Sequence, residues 1–482
     1  MGCHLFEKSI VRPKFSFLQE RDCLRLHQAT LEVLRRTGCR VQDREALELL
    51  RSAGAIIEDD ELVKFPPQLV EWALGKAPST ITLCQRSTSI PAVELAEGKV
   101  NFGTGSDTVN LHHPTEGRRK FTLDDVAACA RLVDSLEQLN FCMSMGIPAD
   151  VHPERQYVHQ YATLLQNTAK PIVFVCDTKE QCETIVEMAS VVAGSREALR
   201  LNPTLLLYSE PITPLTHNKS STQKLLFMAQ EGLPIVHSPA PMMGGTAPVT
   251  LAGGLVMGNA EILSSLVMHQ LKREGAPFVY GAGVHHLDMK TTISVYAAPE
   301  FQMARGAIAD LARFYGLPSW GYSSCSDAPV FGPQAAMDAS YQIRDALMMG
   351  ANLVHDVGYI EAGIAFSPEL VVLSAELIDM HSHFTCGFEI SDETLAIDVI
   401  EKVGPGGSFL TTEHTMRHFK EYWFPNLFER RRYEKWDKVG KPDFADKLKE
   451  KTRVLLEEYE PRAIDGKIKE EIESILNERQ WR

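Results

Sequence analysis

The sequence predicts an α/β protein built on a (β/α)8 TIM barrel (residues 100–383), with an N-terminal α+β cap (residues 1–99) and a C-terminal helical extension (residues 384–482). The 482 residues are 44% hydrophobic, so the chain can bury a large core. Between residues 100 and 383, a short apolar run, a turn and a longer helical pattern recur eight times. The runs are apolar at successive positions, as strands covered on both faces of a parallel sheet require.

Eight apolar runs supply the strands of the predicted barrel, and typical members read PIVFVCD, TLLLYS and PFVYGAG. Eight strand-then-helix units fit a closed barrel better than an open doubly wound sheet, which more often has about five to seven strands. The runs begin near Val100, Asn140, Lys170, Pro203, Leu233, Ala276, Leu317 and Ala351.

Helix-capping signals follow several of these runs. Thr122 begins one predicted helix, because its hydroxyl can cap a free N–H and Asp124 and Asp125 favour the positive end of the helix dipole. Pro299 begins another helix, whose 3.6-residue apolar period ends at Gly316.

The regions on either side of the barrel carry helical patterns of their own. Amphipathic patterns over residues 27–36 and 44–53 and a proline-initiated pattern over residues 67–74 predict three helices, with short strands between them. A glycine-rich turn at residues 404–407 precedes charged helices from residue 433 to the C-terminus. These patterns define the cap and the extension.

Composition excludes several classes of function. The net charge of −14 would repel nucleic acid. The least polar segment, residues 247–268, contains Asn259 and Glu261, which favours a buried helix over a membrane span. Ten cysteines without a CxxC pair indicate reduced thiols, and the first residues lack the apolar stretch of a signal peptide. We therefore expect a cytoplasmic protein with no nucleic-acid or membrane partner.

Reactive groups in such barrels come from the C-terminal ends of the strands and the loops that follow. The residues at these positions combine aromatic rings, carboxylates and histidines, which suits an organic cation. The competing interpretation is that about half of the aromatic residues only pack in the core. The predicted substrate-binding residues are Phe102, Asp107, Tyr208, Glu210, His237, Phe331, Gln334, His355, Tyr359 and Phe366.

Metal and dinucleotide sites are weaker interpretations. Histidine is a common metal ligand, but the side chains of the adjacent residues His285 and His286 cannot readily both point toward one ion. The glycine pairs at residues 103–105 and 281–283 do not continue to GxGxxG with a following acidic residue. These glycines are therefore better interpreted as turn residues at the ends of strands than as part of a dinucleotide-binding motif.

Three segments resemble the trimethylamine methyltransferase family. The string VGPGGSFLTTEHTMRH at residues 403–418 resembles the C-terminal signature of that family. Residues 26–55, with LEVL, TG and AGA, resemble its opening helices, and GANLVHDVGYIEAG at residues 350–363 is also similar. The likeness covers nearly the whole chain.

The resemblance implies a fold and a reaction. Members of the family are (β/α)8 barrels that pass a methyl group from a methylamine to the Co(I) centre of a separate corrinoid protein. We accordingly expect cobalamin on the partner protein, no cofactor or metal bound in this chain, and a homo-oligomer. The residues of the barrel are expected to position the substrate, with no catalytic residue in the narrow sense.

The founding branch of the family carries pyrrolysine on the loop after the seventh strand. Here that loop reads CSDAPVFGPQ (residues 325–334), and Pro329 falls about where pyrrolysine would. The difference points to the nonpyrrolysine branch, whose substrates are quaternary amines of the glycine betaine, proline betaine, carnitine and γ-butyrobetaine class. A quaternary nitrogen departs as a neutral amine, so its demethylation needs no general acid.

The sequence thus predicts a corrinoid-dependent methyltransferase that acts on a quaternary amine bearing a carboxylate. A noncatalytic quaternary-amine binding or sensing protein and a metal-dependent barrel hydrolase are the alternatives. Since no lysine or arginine lies at the strand ends, His355 and Gln334 are expected to donate hydrogen bonds to the substrate carboxylate. The competing interpretation is that His355 only bonds to Asp356 or to a loop carbonyl.

Overall fold

A closed barrel of eight parallel strands forms the centre of the computed structural model, which describes residues 9–13, 15–86 and 88–478. One ladder joins the second to the sixth barrel strands, and another joins the seventh, eighth and first. Bridges from Gly103 to Phe141 and from Tyr280 to Ser319 close the circle. The predicted (β/α)8 barrel is confirmed.

Strands and helices alternate around the barrel, and each strand begins within a few residues of a predicted apolar run. The barrel strands are Asn101–Phe102, Cys142–Met143, Ile172–Phe174, Leu205–Ser209, Ile235–His237, Phe278–Val279, Trp320–Tyr322 and Leu353–His355. The helices that follow them in order are Leu123–Ser135, Gln156–Asn167, Lys179–Ala193, Lys219–Glu231, Leu251–Lys272, Pro299–Tyr315, Pro333–Met349 and Pro368–Cys386. A short helix, Arg196–Leu201, follows the third of these.

The predicted capping signals fix several helix ends. The Thr122 hydroxyl accepts a hydrogen bond from the Asp125 N–H at 3.3 Å, and the Asp125 carboxylate accepts one from the Thr122 N–H at 2.8 Å. This reciprocal pair satisfies two N–H groups at the start of Leu123–Ser135. Gly316, with a φ of 67°, ends Pro299–Tyr315 in the left-handed conformation.

Two apolar layers hold the barrel together. Leu206, Val236 and Leu353 belong to the cluster that fills the barrel interior. Leu207 and Ile235, their neighbours in sequence, belong to the cluster between strands and helices. Because side chains alternate along a strand, each strand contributes to both layers.

Short strands and turns build the rim around the C-terminal end of the barrel. One sheet contains Tyr359–Ile360, Ala365–Phe366, Asn110–His113 and Gly117–Lys120, and another contains Met242–Met243, His285–Leu287 and Ser294–Val295. The 3-10 helices Pro153–Arg155 and Glu361–Gly363 complete the connections. All of these elements follow barrel strands, so they surround the mouth.

The N-terminal region covers the side and the opposite end of the barrel. It contains the helices Glu20–Arg36, Arg44–Ser52 and Pro67–Leu74. The strands Cys39–Val41, Leu62–Lys64 and Ile56–Glu58 form a sheet with Thr216–His217. The hairpin Ile81–Cys84 and Pro91–Leu95 joins the interior cluster, and the Cys84 N–H donates to the Pro203 carbonyl just before the fourth barrel strand. The hairpin thereby closes the N-terminal end of the barrel.

The C-terminal region packs on the outside of the barrel. Its strand Phe388–Ile390 pairs with Ser9–Val11, and its helix Phe444–Glu458 packs on Leu123–Ser135 and Pro368–Cys386. Its remaining helices are Asp392–Leu395, Ile397–Val403, Glu413–His418, the 3-10 helix Phe419–Glu421, Tyr433–Lys438 and Gly466–Glu478.

The helix Leu251–Lys272 is long and apolar enough to span a membrane by length and composition, but it is buried in the protein, as the sequence predicts. Its Asn259 and Glu261 are fully buried. Asn259 donates to Thr30 and Tyr315 at 3.0 and 2.8 Å, and Glu261 accepts from the Leu215 N–H at 2.6 Å. The polar groups of this helix are therefore used inside the fold.

The cysteines in the described residues are free thiols. Eight are buried, as the prediction of reduced thiols implies, but Cys386 at the end of Pro368–Cys386 is exposed. Cys3 lies outside the described residues.

Candidate functional site in the barrel mouth

The alternation of side chains decides which strand-end residues enter the barrel. Tyr208 lies on the same face as Leu206, Tyr322 on the same face as Trp320, and His355 on the same face as Leu353. All of these faces point inward. The C-terminal ends of the fourth, seventh and eighth strands thus present aromatic side chains to the mouth.

Tyr208, Trp320, Tyr322 and His355 form a contiguous aromatic floor. The His355 ring lies 4.3 Å from the Trp320 ring and 4.4 Å from the Tyr322 ring, measured between centroids. Tyr208 is 5.4 Å from Trp320 and 5.8 Å from His355. Such a surface attracts an organic cation through the negative faces of its rings.

A second aromatic group extends the floor toward the sixth strand. His285 stacks on Phe301 with centroids 4.3 Å apart and an interplanar angle of 16°, and it lies 4.7 Å from Tyr296. Its ring is 6.0 Å from Tyr322, which belongs to the floor. Burial lowers the pKa of His285 to about 3, so this ring is neutral at physiological pH.

Three carboxylates adjoin the aromatic floor. Glu210 accepts a hydrogen bond from the Tyr208 hydroxyl. Asp356 is 1% exposed, and its Oδ1 lies 2.6 Å from His355 Nδ1. This contact does not have hydrogen-bond geometry, and both Asp356 oxygens and both His355 nitrogens are without a hydrogen-bond partner. Asp107, in the left-handed conformation at a φ of 64°, holds a buried Oδ1 that also has no partner.

The carboxylates influence one another. Burial raises the pKa of Asp107 to about 7, and the negative charges of Glu210 and Asp177 add to this shift. Loss of hydration beside the barrel wall also raises the pKa of Glu210, although this residue is exposed through the mouth. The charge of Asp356 acts in the same direction, and the hydrogen bond from Tyr208 opposes it. The site thus favours an added positive charge.

Two basic side chains act on these carboxylates through their charge: Lys224 lowers the pKa of Asp107 and Glu210, and Asp356 attracts Arg305, whose buried Nε has no hydrogen-bond partner. The Lys224 ammonium donates to the Cys176 carbonyl, and the Arg305 guanidinium donates to Gln302. In the described part of the chain, neither forms an ion pair with Asp107, Glu210 or Asp356.

Gly105 allows the loop after the first strand to pass close to the site. A Cβ atom there would contact the Tyr359 ring and would lie 2.5 Å from Asp356 Oδ1. The Tyr359 hydroxyl donates to the Ser106 carbonyl on the same loop. The glycine therefore lets the loop pack directly on Asp356 and Tyr359.

The structure brings together five of the ten predicted binding residues: Asp107, Tyr208, Glu210, His355 and Tyr359. It places three others in the layer between strands and helices. Phe366 packs on Phe121 at 6.2 Å, His237 lies 6.2 Å from His217, and Phe102 belongs to the outer apolar cluster. These three do not line the mouth, because their inward-facing positions belong to neighbouring residues.

The remaining two predicted residues lie on the loop and helix after the seventh strand. Phe331 is half-buried against the outer cluster, and Gln334 is exposed near Asp338, whose raised pKa it partly offsets. The joint role of Gln334 and His355 as donors to a substrate carboxylate stays a prediction.

Sequence reasoning missed Trp320, Tyr322, Tyr296 and Asp356. Trp320 and Tyr322 lie in a predicted strand with the two-residue spacing that places them on one face, so the signal was available. Tyr296 comes from the long connection after the sixth strand, where no periodicity predicts its position. Its backbone N–H donates to the Asp327 carboxylate at 2.8 Å, which ties that connection to the loop after the seventh strand.

The metal interpretation receives no support from the arrangement of His285. Its ring packs between the rings of Phe301 and Tyr296. Within residues 9–13, 15–86 and 88–478, no group of three or more His, Cys, Asp or Glu side chains is arranged to hold a metal ion.

Two cavities lie outside the mouth. One of about 890 Å³ lies along the groove where Glu20–Arg36 packs on Leu251–Lys272, and its lining includes Leu26 and Leu255. The other, of about 280 Å³, is lined by small and polar residues such as Thr88. Neither brings carboxylates together with aromatic rings, so the mouth is the candidate site.

The fold and the mouth together define a (β/α)8 barrel protein with a site suited to an organic cation. The chain matches the trimethylamine methyltransferase (MTTB) family over residues 6–481, and it belongs to that family. Position 329, where the resemblance places pyrrolysine, holds proline, so the chain falls in the nonpyrrolysine branch.

Relatives are similar along almost their whole length. Trimethylamine methyltransferase MttB of Desulfitobacterium hafniense (strain DSM 10664 / DCB-2) is 32% identical over 456 residues, which cover 94% of this chain and 92% of the relative. Glycine betaine methyltransferase of Desulfitobacterium hafniense (strain Y51) is 29% identical over 470 residues, covering 97% and 98%. Both are methyltransferases, which supports the prediction of an enzyme over that of a noncatalytic binding protein.

Solved structures share the fold. Monomethylamine methyltransferase (MtmB) of Methanosarcina barkeri superposes with a TM-score of 0.50 at 12% identity, covering 92% of this chain and 89% of that one. The hydroxylamine complex of MtmB gives a TM-score of 0.53 over the same shares. At this identity the likeness concerns the fold alone.

Proposed function

We propose that this enzyme transfers a methyl group from a quaternary amine to the Co(I) centre of a separate corrinoid protein. The aromatic floor flanked by Glu210 and Asp356 carries the proposal, because π faces and carboxylates together bind an organic cation. Family membership supplies the reaction class.

The reaction balances without a proton or an external oxidant. The N–CH3 bond breaks and its electron pair stays on nitrogen, so the cation leaves as a neutral tertiary amine. The two electrons of the new Co–CH3 bond come from Co(I), which becomes Co(III). No general acid is required, so the side chains at the mouth need only bind and orient the substrate.

The charge of the substrate explains why the site combines aromatic rings with carboxylates. Positive charge on nitrogen falls as the methyl group leaves, so a cage that bound the cation too tightly would stabilise the ground state more than the transition state. Trp320 and His355 supply moderate π attraction, whereas Glu210 is reached by solvent and partly offset by its bond to Tyr208. This balance keeps the binding moderate.

The methyl acceptor is proposed to dock over the open end of the barrel. Cobalamin would be carried by that partner, and no cofactor is needed within this chain. We also propose that the enzyme works in the cytoplasm as a homo-oligomer. The free thiols of the nine described cysteines are compatible with a reducing compartment.

The two curated relatives differ in the substrate that they are named for, trimethylamine in one and glycine betaine in the other. Proline at position 329 favours a quaternary amine. The test is to incubate the purified enzyme under anaerobic conditions with chemically reduced cobalamin and each amine, and to follow the tertiary amine product by NMR. Stoichiometric product from a quaternary amine supports the proposal. Equal rates with trimethylamine and the best quaternary amine would contradict the quaternary preference.

A further inference from the structure

One segment of the C-terminal region has no core of its own. Residues 391–422, here called the C-terminal arm, lie within the described chain, and none of them is buried. The arm nevertheless contains the helices Asp392–Leu395, Ile397–Val403 and Glu413–His418. Helices shorter than about 12 residues are marginal in water and depend on packing against other elements. The described chain does not supply that packing.

The C-terminal arm exposes large apolar side chains. Leu410 is 80% exposed, Tyr422 73% and Ile397 66%. The complete set is Leu395, Ile397, Ile400, Phe409, Leu410, Met416, Phe419 and Tyr422. At on the order of 100 Å² each, these side chains present roughly 800 Å² of apolar surface, which is about what each partner buries in a stable interface. The arm therefore offers enough surface for a protein contact.

Ion pairs within the C-terminal arm fix its shape. The Arg417 guanidinium donates to Glu393 at 3.0 Å, and His418 Nδ1 lies 2.8 Å from the Glu421 carboxylate. All four residues belong to the arm, so these contacts join its parts to one another and do not attach it to the barrel. With these charges paired, apolar packing is the interaction that the arm still offers to a partner.

Both ends of the C-terminal arm are attached to the half of the barrel away from the mouth. The arm follows Pro368–Cys386, and barrel helices run from the mouth back to the N-terminal ends of the strands. Just after the arm, the Trp423 indole donates to Asp379, in the second half of that same helix, at 2.7 Å. A protein that brings cobalt to the mouth approaches from the other end, so it does not account for this surface.

We propose that a second copy of this chain covers the C-terminal arm, which thereby forms the contact between subunits. In a two-fold assembly the same surface is buried on both subunits, so roughly 800 Å² on each gives the total of about 1,600 Å² that a stable interface needs. The proposal rests on the proposed homo-oligomer and is independent of the methyl transfer. It gives the string VGPGGSFLTTEHTMRH, which lies within the arm, a role in assembly.

The first experiment measures the mass of the full-length enzyme in solution by light scattering after size exclusion. Wild type should be an oligomer, and the double variant Ile397→Glu, Leu410→Glu should dissociate, with a dissociation constant raised at least tenfold. Leu201→Glu is the matched control, because Leu201 is 65% exposed but lies on the short barrel helix Arg196–Leu201. It should keep the mass of wild type. A double variant that also keeps this mass would overturn the proposal.

Hydrogen exchange supplies a readout that does not depend on substitutions. Backbone N–H groups in residues 391–422 should exchange at least tenfold more slowly in the assembled enzyme than after dilution to monomers, because the second copy covers them. Exchange in the barrel strand Leu205–Ser209 should be the same in both states. Equally fast exchange of the arm in both states would show that no second copy covers it.

Failure of this proposal is distinguishable from failure of the proposed function. A wild-type enzyme that is monomeric from about 1 to about 100 µM, a range in which stable interfaces are populated, would overturn the arm contact and the homo-oligomer together. Methyl transfer from a quaternary amine to reduced cobalamin is measured on the same samples. Its absence from an enzyme that assembles through the arm would overturn the reaction and uphold the contact.

Discussion

The His355 imidazole stacks on the Trp320 indole, with 4.3 Å between the ring centroids and 30° between the ring planes. The two residues lie on adjacent barrel strands, where Tyr322 pairs with His355 and Trp320 pairs with Leu353. His355 is thus part of the aromatic floor itself. Trp320 covers one face of the imidazole, and Tyr322 and Tyr208 lie beside it at tilted angles.

Removing the His355 ring should affect all cationic ligands alike. We expect His355→Ala to weaken choline and glycine betaine by the same factor, about three- to tenfold, because the loss is that of a π surface worth about 1 kcal/mol. His355→Phe, which retains an aromatic face, should restore most of the affinity. Titration calorimetry provides the measurement. A loss confined to glycine betaine would show instead that His355 reads the substrate carboxylate.

Trp320 offers the largest ring in the floor, and its replacement should be more damaging. Trp320→Leu is expected to weaken tetramethylammonium binding about tenfold or more, as the loss of about 1–2 kcal/mol of cation–π attraction requires. Phe366→Leu is the matched control, because Phe366 is as fully buried as Trp320 but lies in the layer between strands and helices. It should lower the melting temperature and leave the dissociation constant within about twofold. Similar affinity losses in both variants would argue against a role of Trp320 in the site.

Glu261 should limit stability at alkaline pH. Burial raises its pKa from 4.5 to about 8, opposed by the hydrogen bond from the Leu215 N–H. The unfolded chain therefore releases this proton before the folded protein does, so stability is full below pH 4.5 and falls as pH rises toward 8. Glu261→Gln should remove this loss and stabilise the protein at pH 8 by up to about 4 kcal/mol, with little effect near pH 4.5. Denaturant unfolding at pH 8 and near pH 4.5 measures this difference in stability. A Glu261→Gln protein that is destabilised equally at both pH values would contradict the prediction.

His217 should limit stability at acidic pH. Burial lowers its pKa to about 4, and its Nε2 contacts the Ser264 hydroxyl at 2.8 Å. The unfolded chain binds a proton near pH 6.5 whereas the folded protein resists it, so stability falls as pH drops from 6.5 to 4, by roughly 3 kcal/mol for this residue. His217→Gln should flatten that part of the stability profile. Replacement of the exposed His152 by Gln should leave the profile unchanged, and identical slopes for wild type and His217→Gln would contradict the assignment.

The strands and helices of the barrel were predictable because their signals are local. Thr122 and Gly316 mark helix ends by their own chemistry, and runs such as TLLLYS identify buried strands. The direction of each side chain was harder to predict. Every position in TLLLYS is compatible with burial, so only the barrel register shows that Tyr208 faces inward, just as it shows that His237 faces outward.

Residues supplied by long connections could not be predicted at all. Tyr296 reaches the mouth because its segment is bonded to Asp327, a contact across 31 positions of the chain. Gln334 lies near the end of the seventh strand in sequence, but the direction of its helix turns it to the exposed rim. Proximity in sequence to a strand end was therefore an insufficient criterion for membership of the site.

The most direct test of the account is methyl transfer from tetramethylammonium carrying deuterated methyl groups. The enzyme would be mixed with cobalamin held in the Co(I) state, and the product would be analysed by absorbance and mass spectrometry. We predict one deuterated methyl group on cobalt for each molecule of trimethylamine released, at a rate proportional to enzyme concentration and at least tenfold faster than with the Trp320→Leu enzyme. Unlabelled cobalamin, or a rate independent of the enzyme and of Trp320, would contradict it.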